Sequence, residues 1–147
     1  MTANAAKADT ETVALEYDLP YPPAKVWRAL TEPQLVARWL MANDIDAKVG
    51  HNFKFTSTPM PQWDGIVRCE VLEVELHRRL RYAWKSAPDL DTVVTWTLTP
   101  TASGGTKLAL EHTGFRPTNA FAASGARQGW QYMVSDKLPA VLATVTS

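Results

Sequence analysis

Between Ile66 and Phe115 the chain holds four runs of alternating apolar and polar residues, separated by three short links. The runs are IVRCEVLEVEL, LRYAWK, TVVTWTLT and KLALEHTGF; the links are HRR, SAPDLD and TASGGT. Alternation at period two marks a strand with one buried face. Links this short cannot hold a crossover helix, so successive strands must pair as antiparallel neighbours. Any fold of this chain therefore contains a sheet built from hairpins, and something must cover its apolar face.

The cover is supplied by the C-terminal segment. From Asn119 to Val145, Phe121, Ala122, Ala126, Trp130, Met133, Val134, Leu138, Val141 and Leu142 recur at helical spacing over about five turns. Gly125 and Gly129 weaken that helix by about 1 kcal/mol each relative to alanine, and leave room or allow close approach beside them. Pro139 removes one backbone hydrogen bond and is expected to kink it. Upstream, TVALEYDL is a half-buried strand with Val13, Leu15, Tyr17 and Leu19 on one face. PPAKVWRALTEPQLVARWL then reads as two short helices. Pro22 and Pro23 suit a helix start, and Pro33 ends the first helix near Thr31 or Glu32 while opening the second. Trp27 is expected to pack the corner between them, and Trp39 to reach the cavity rim. DIDAKVGHNFKF reads as a short strand, a turn at Gly50, and a strand with Phe53 and Phe55 on one face. The expected architecture is α+β: about six to seven antiparallel strands, two short helices after the first strand, and a long C-terminal helix. Residues 1–11 read as a flexible tail and 12–147 as a single domain.

Composition narrows the function. Fifteen Lys plus Arg balance fifteen Asp plus Glu, so there is no net charge to draw the chain to nucleic acid or an anionic membrane. No apolar run reaches the roughly 18 residues of a membrane-spanning helix, and MTANAAKADTET has no signal-peptide core. With one cysteine, Cys69, no internal disulfide can form, and a cytoplasmic location is expected. Six tryptophans are a surplus for 147 residues and imply either a bulky core or an aromatic-lined pocket.

The pieces PPAKVWRALTEPQLVARWL, GHNFKF, WDGIVRCEVLEVELHRRLRYAW, VVTWTLTP, GGTKLALEHTGF and the Gly129-Trp130 pair resemble, in order, the activator of heat-shock protein 90 ATPase-like group of the START-like (SRPBCC, birch-pollen-allergen-like) superfamily. The resemblance covers about residues 12–143. Leu76 and His77 stand where that group often has proline, which touches a hairpin turn. The resemblance implies a helix-grip fold, a curved sheet around the terminal helix with a cavity between them. Its members include lipid carriers, hormone receptors, polyketide cyclases and co-chaperone domains. The chaperone activators carry a further N-terminal chaperone-binding domain for which this chain leaves no room, so a chaperone or stress-response partner is a secondary expectation.

The leading expectation is a small apolar or aromatic ligand held in that cavity. The candidate contacts are Trp39, Met41, Phe53, Phe55, Trp63, Arg68, Glu70, Tyr82, Trp84, Trp96, His112, Phe115, Trp130 and Met133, with the corner at Trp39–Met41 and the loop Thr58–Trp63 framing the mouth. Such pockets are mostly apolar with few polar groups to orient a ligand. Neither face of the strand from Ile66 is purely apolar, so either a bulge interrupts it or Arg68 or Glu70 faces inward. His112 shares a face with Leu108 and Leu110 and is the candidate acid or base for a cyclase- or hydrolase-like enzyme. Cys69 has no histidine partner signature and reads as inert. The three histidines lack metal-ligand spacing, no phosphate-binding glycine loop is present, and no cofactor is implied. HRRLR reads as a solvated hairpin end.

Overall fold

The computed structural model describes residues 11–59, 64–87, 90–116 and 120–145. Seven antiparallel strands form one open sheet in the order β1-β7-β6-β5-β4-β3-β2. They are β1 (Glu11–Leu19), β2 (Ala42–Asn43), β3 (Asn52–Thr56), β4 (Ile66–Glu75), β5 (Arg79–Ala87), β6 (Leu90–Pro100) and β7 (Thr106–Phe115). Helices α1 (Pro23–Thr31) and α2 (Pro33–Trp39) follow β1. The C-terminal helix consists of α3 (Ala120–Tyr132), a π-helical turn (Met133–Lys137) and α4 (Leu138–Leu142). This is the expected α+β helix-grip architecture. Residues 1–10 of the expected tail lie outside the described residues, and Glu11 already belongs to β1.

The prolines act where the chain needs them. Glu32, the residue before Pro33, is extended at φ −89° and ψ 118°, so α1 stops at Thr31. The helices meet at a corner closed by Trp39, whose Nε1–H donates to the Ala29 carbonyl at 2.8 Å. Trp39 is 1% exposed and meets Trp96 edge to face at 5.8 Å. Burying so large a ring contributes about 3 kcal/mol or more, provided its one donor is satisfied, as here. The corner contact is thus made by Trp39, which was expected at the cavity rim. Trp39 locks the corner, while Trp27 lies edge-on to His77 at 6.2 Å beside the β4–β5 hairpin.

Two local expectations are corrected. The short strand before Gly50 is Ala42–Asn43, not the DIDAKV segment. There, side chains satisfy the backbone: the Asn43 carbonyl oxygen accepts from Ile45 N–H at 3.2 Å, and Asp44 accepts from Lys54 N–H at 2.8 Å. At Pro139 the helix widens rather than kinking freely. Leu138 N–H reaches back five residues to the Met133 carbonyl, so the turn before the proline ring is π-helical.

β4 carries the bulge. Val67, Cys69 and Val71 are buried, the register slips between Val71 and Glu73, and Leu72 is left exposed. The Leu76–Arg78 turn places His77 at φ 63°, a conformation proline cannot adopt.

At φ 82° Gly65 sits where an added Cβ would collide with the Ser57 carbonyl oxygen. Gly104, at φ 88°, has nothing within 4 Å of that position. Gly104→Ala should therefore lower unfolding free energy by about 1 kcal/mol, the left-handed backbone cost alone. Gly65→Ala should cost at least about 2 kcal/mol, because a backbone oxygen must also move. Urea denaturation of the two variants compares them; equal losses would show that Ser57 yields freely.

Candidate functional site

The inward faces of β3, β5, β6 and β7 contribute rings that meet one another and Trp130 of α3. Trp84 lies 5.2 Å from Phe55, 5.2 Å from Trp130 and 5.6 Å from His112. Phe53 meets Tyr82 at 5.3 Å, Trp96 meets Trp130 at 5.4 Å, and His112 meets Phe115 at 4.5 Å. Edge-to-face and tilted pairs at such separations attract beyond simple burial, by about 0.5–1.5 kcal/mol each. The expected residues Trp39, Phe53, Phe55, Tyr82, Trp84, Trp96, His112, Phe115 and Trp130 thus form one buried cluster. Met41 and Met133 pack against it half-buried. Trp63 lies outside the described residues.

Arg68 and Glu70 do not join them. The bulge after Val71 leaves the buried face of lower β4 to Val67, Cys69 and Val71, so both charged residues point outward and are exposed. Arg68 makes a 3.4 Å ion pair with Asp64.

One chain of hydrogen bonds runs through the cluster. Trp130 Nε1–H donates to His112 Nδ1 at 3.0 Å. Nδ1 is therefore the acceptor nitrogen, and Nε2 carries the proton that goes to Thr92 Oγ1 at 2.9 Å. The Thr92 hydroxyl donates in turn to the Trp84 carbonyl at 2.6 Å. Separately, Trp96 Nε1–H donates to Tyr82 Oη at 3.0 Å. Among the described residues no buried side-chain nitrogen or oxygen lacks a partner. Thr92 was not singled out from the sequence, although alternation through Val94, Trp96 and Leu98 puts it on the same inward face.

This wiring decides what His112 can do. Burial pushes its pKa down to about 4. Protonating Nδ1 would also set its new N–H against the Trp130 N–H. A general acid or base needs a nitrogen within reach of substrate; both nitrogens of His112 are committed to protein. In this arrangement His112 therefore offers no free nitrogen to a substrate. Burial, then the nearby Asp44 charge, raises the Cys69 thiol pKa far above its ordinary value, so it holds no thiolate. Among the described residues no group of His, Cys, Asp and Glu could hold a metal ion.

Two hollows lie away from the space between sheet and terminal helix. One of about 480 Å³ is lined by Pro23, the β4–β5 hairpin and Thr97–Pro100; one of about 380 Å³ lies between Asp18–Pro20 and Thr101–Ser103. The sheet–helix interior is occupied by the ring cluster. Within it, burial is graded. In the cross-strand row Phe53–Cys69–Trp84, exposure rises from 4% to 6% to 9%, whereas Val71, Tyr82, Val94 and His112 in the adjoining row stay at 2% or below. On α3, the exposed Gly125 and the half-buried Gly129 have nothing within 4 Å of where a Cβ would stand, so neither is needed for close packing.

Residues 20–143 match the family described as Activator of Hsp90 ATPase homolog 1-like protein. The chain belongs to that family. It sits within the START-like superfamily, whose fold is a ligand-binding one. Protein MLL2253 of Mesorhizobium loti is similar at 42% identity, with a TM-score of 0.83 over 93% of this chain and 100% of that one. CalU16 of Micromonospora echinospora shares the fold at 23% identity, with a TM-score of 0.75 over 92% and 78%. DynU16, a protein in the dynemicin biosynthetic locus, is 26% identical, with a TM-score of 0.75 over 90% of this chain and 47% of that one. No curated protein matches. Among the described residues no helix of this family member is long and apolar enough to cross a membrane.

The folded pKa of His112 lies below the ordinary value of 6.5. The unfolded chain therefore takes up the proton first as pH falls. Stability is fully present above about pH 6.5 and declines toward pH 4, with a total loss on the order of 3 kcal/mol. His112→Gln should lower stability at pH 7 but flatten that slope. Urea unfolding of both proteins at pH 7 and pH 5 measures the difference; identical slopes would refute it.

Proposed function

We propose that the protein binds a small apolar or aromatic molecule in the sheet–helix interior, against the ring cluster around Trp84. The carrying observation is that continuous cluster of rings, which faces the terminal helix through Trp84 and Trp130 and is less closed along the Phe53–Cys69–Trp84 row than along the adjoining one. The inward wall offers ring faces and thioethers, and its buried polar atoms already have protein partners. A ligand there gains chiefly from apolar burial, at about 25 cal/mol per Å² before ordering costs. A charged ligand would be desolvated with nothing to pair it. DynU16's place in a biosynthetic locus supports small organic molecules as the class. The soluble interior of the cell is the proposed setting.

Gly129→Leu tests the site, since it adds a bulky side chain to α3 next to Trp130, at a position with nothing within 4 Å of the added Cβ. Tryptophan fluorescence titrated with a panel of fatty acids, flavonoids and aromatic polyketides should show quenching by at least one compound. The variant should bind that compound about tenfold more weakly or worse, a loss of about 1.4 kcal/mol. Indifference to the whole panel, or unchanged affinity in the variant, would overturn the proposal.

A further inference from the structure

The solvent face of the sheet is divided by charge. On β5, Arg79, Arg81 and Lys85 are exposed. On the other side, β1 presents Glu16 and Asp18 and β7 presents Glu111, with Lys107 the one outward cation there among the described residues. Between them lies a strip of small, half-buried side chains: Val93, Thr95 and Thr97 on β6, and Ala109 and Thr113 on β7. Arg79 and Arg81 share a single carboxylate, Glu73, at 3.8 and 3.9 Å, which leaves one positive charge uncompensated. Glu16, Asp18 and Glu111 make no ion pair among the described residues.

Register places these charges in line. Arg79 pairs across to Thr97, Thr97 to Ala109, and Ala109 to Glu16, forming one row from β5 to β1. The next row is Arg81, Thr95, Glu111 and Ala14. In the order β1-β7-β6-β5, a line parallel to the strands between β7 and β6 has β5 and β1 equally far on either side. Rotation by half a turn about an axis standing above that line, outside the sheet, lays a second copy face to face and brings like rows of the two copies opposite each other near the axis. It sets Arg79 over the other copy's Glu16, and Glu16 over the other's Arg79. It also brings Glu111 over Thr95, one strand from Arg81, and lets small residues meet along the axis.

We propose that the protein forms a two-fold dimer through this sheet face, with Arg79 and Glu16 as the reciprocal ion pair. Isologous contact requires a patch complementary to itself, and the row supplies one. Stacked sheets lie about 10 Å apart, a gap that Arg and Glu side chains together span. Four strands at about 4.8 Å spacing and about 3.4 Å rise per residue give a face of roughly 19 by 30 Å, about 570 Å² in projection, which falls below the ~800 Å² per partner of a standard interface and fits a weak dimer.

Sedimentation velocity on the full chain tests this at about 100 µM, at low salt and again at about 0.5 M salt, where exposed charge pairs are screened. The expected result is a dimer at low salt that weakens at high salt. Arg79→Glu should weaken association about tenfold or more, through like charges facing each other. Adding Glu16→Arg to that variant should restore it, since the swap rebuilds both ion pairs. Circular dichroism checks that each variant is folded. A monomeric wild type, a dimer indifferent to Arg79→Glu, or no rescue by the swap would each overturn the proposal.

Discussion

The hydrogen bond from Trp130 to His112 ties the terminal helix to the sheet, and much of the interior is organised around it. A neutral buried hydrogen bond contributes only about 1 kcal/mol net, but leaving one of these groups unmatched would cost about 1–3 kcal/mol. The chain continues through Thr92 to the Trp84 carbonyl, so four residues on one helix and three strands must be placed together. That requirement fixes the ring of His112, its tautomer and the approach of α3. The aromatic cluster then packs around a polar thread already complete. His112 is a structural group because its partners are protein atoms.

The second constraint is the corner between α1 and α2. Pro33 forces Glu32 into an extended conformation, and Trp39 closes the angle by reaching the Ala29 carbonyl. The same ring then meets Trp96, so the corner is joined to the sheet through one side chain. α4 packs against both α1 and α2, which anchors the end of the C-terminal helix there. Local proline stereochemistry thus sets where a distant helix can rest.

Most of the fold was legible because alternation, helical period and proline each impose their own geometry. The strand faces of Tyr82, Trp84, Val94, Trp96, Leu108 and Leu110 followed from period two, and the helix break followed from Pro33. The bulge at Leu72 did not. A one-residue slip exchanges the faces, and a strand with charges on both sides gives no sign of where it falls. Arg68 and Glu70 were consequently left as inward candidates. The roles of Trp27 and Trp39 were hidden because the deciding partner is a backbone carbonyl ten residues away. Whether the interior is hollow or filled was invisible as well, since rings that line a cavity also fill a core.

A filled core shapes any account of ligand binding in it. Something must move. α4 is held at the helix corner; α3 lies over β1 and β7, contains two glycines and joins α4 through a π-helical turn. π-helical turns recur at functional sites in helices. Swinging α3 outward breaks the Trp130–His112 bond and exposes part of one ring cluster, a cost of a few kcal/mol. A ligand burying about 200 Å² of apolar surface returns about 5 kcal/mol. The two terms are of similar size. On the proposed function, selectivity then comes from how well a ligand replaces the ring contacts that α3 gives up. A flat aromatic molecule, able to stack where Trp130 stacked, is favoured over a thin flexible chain of equal area.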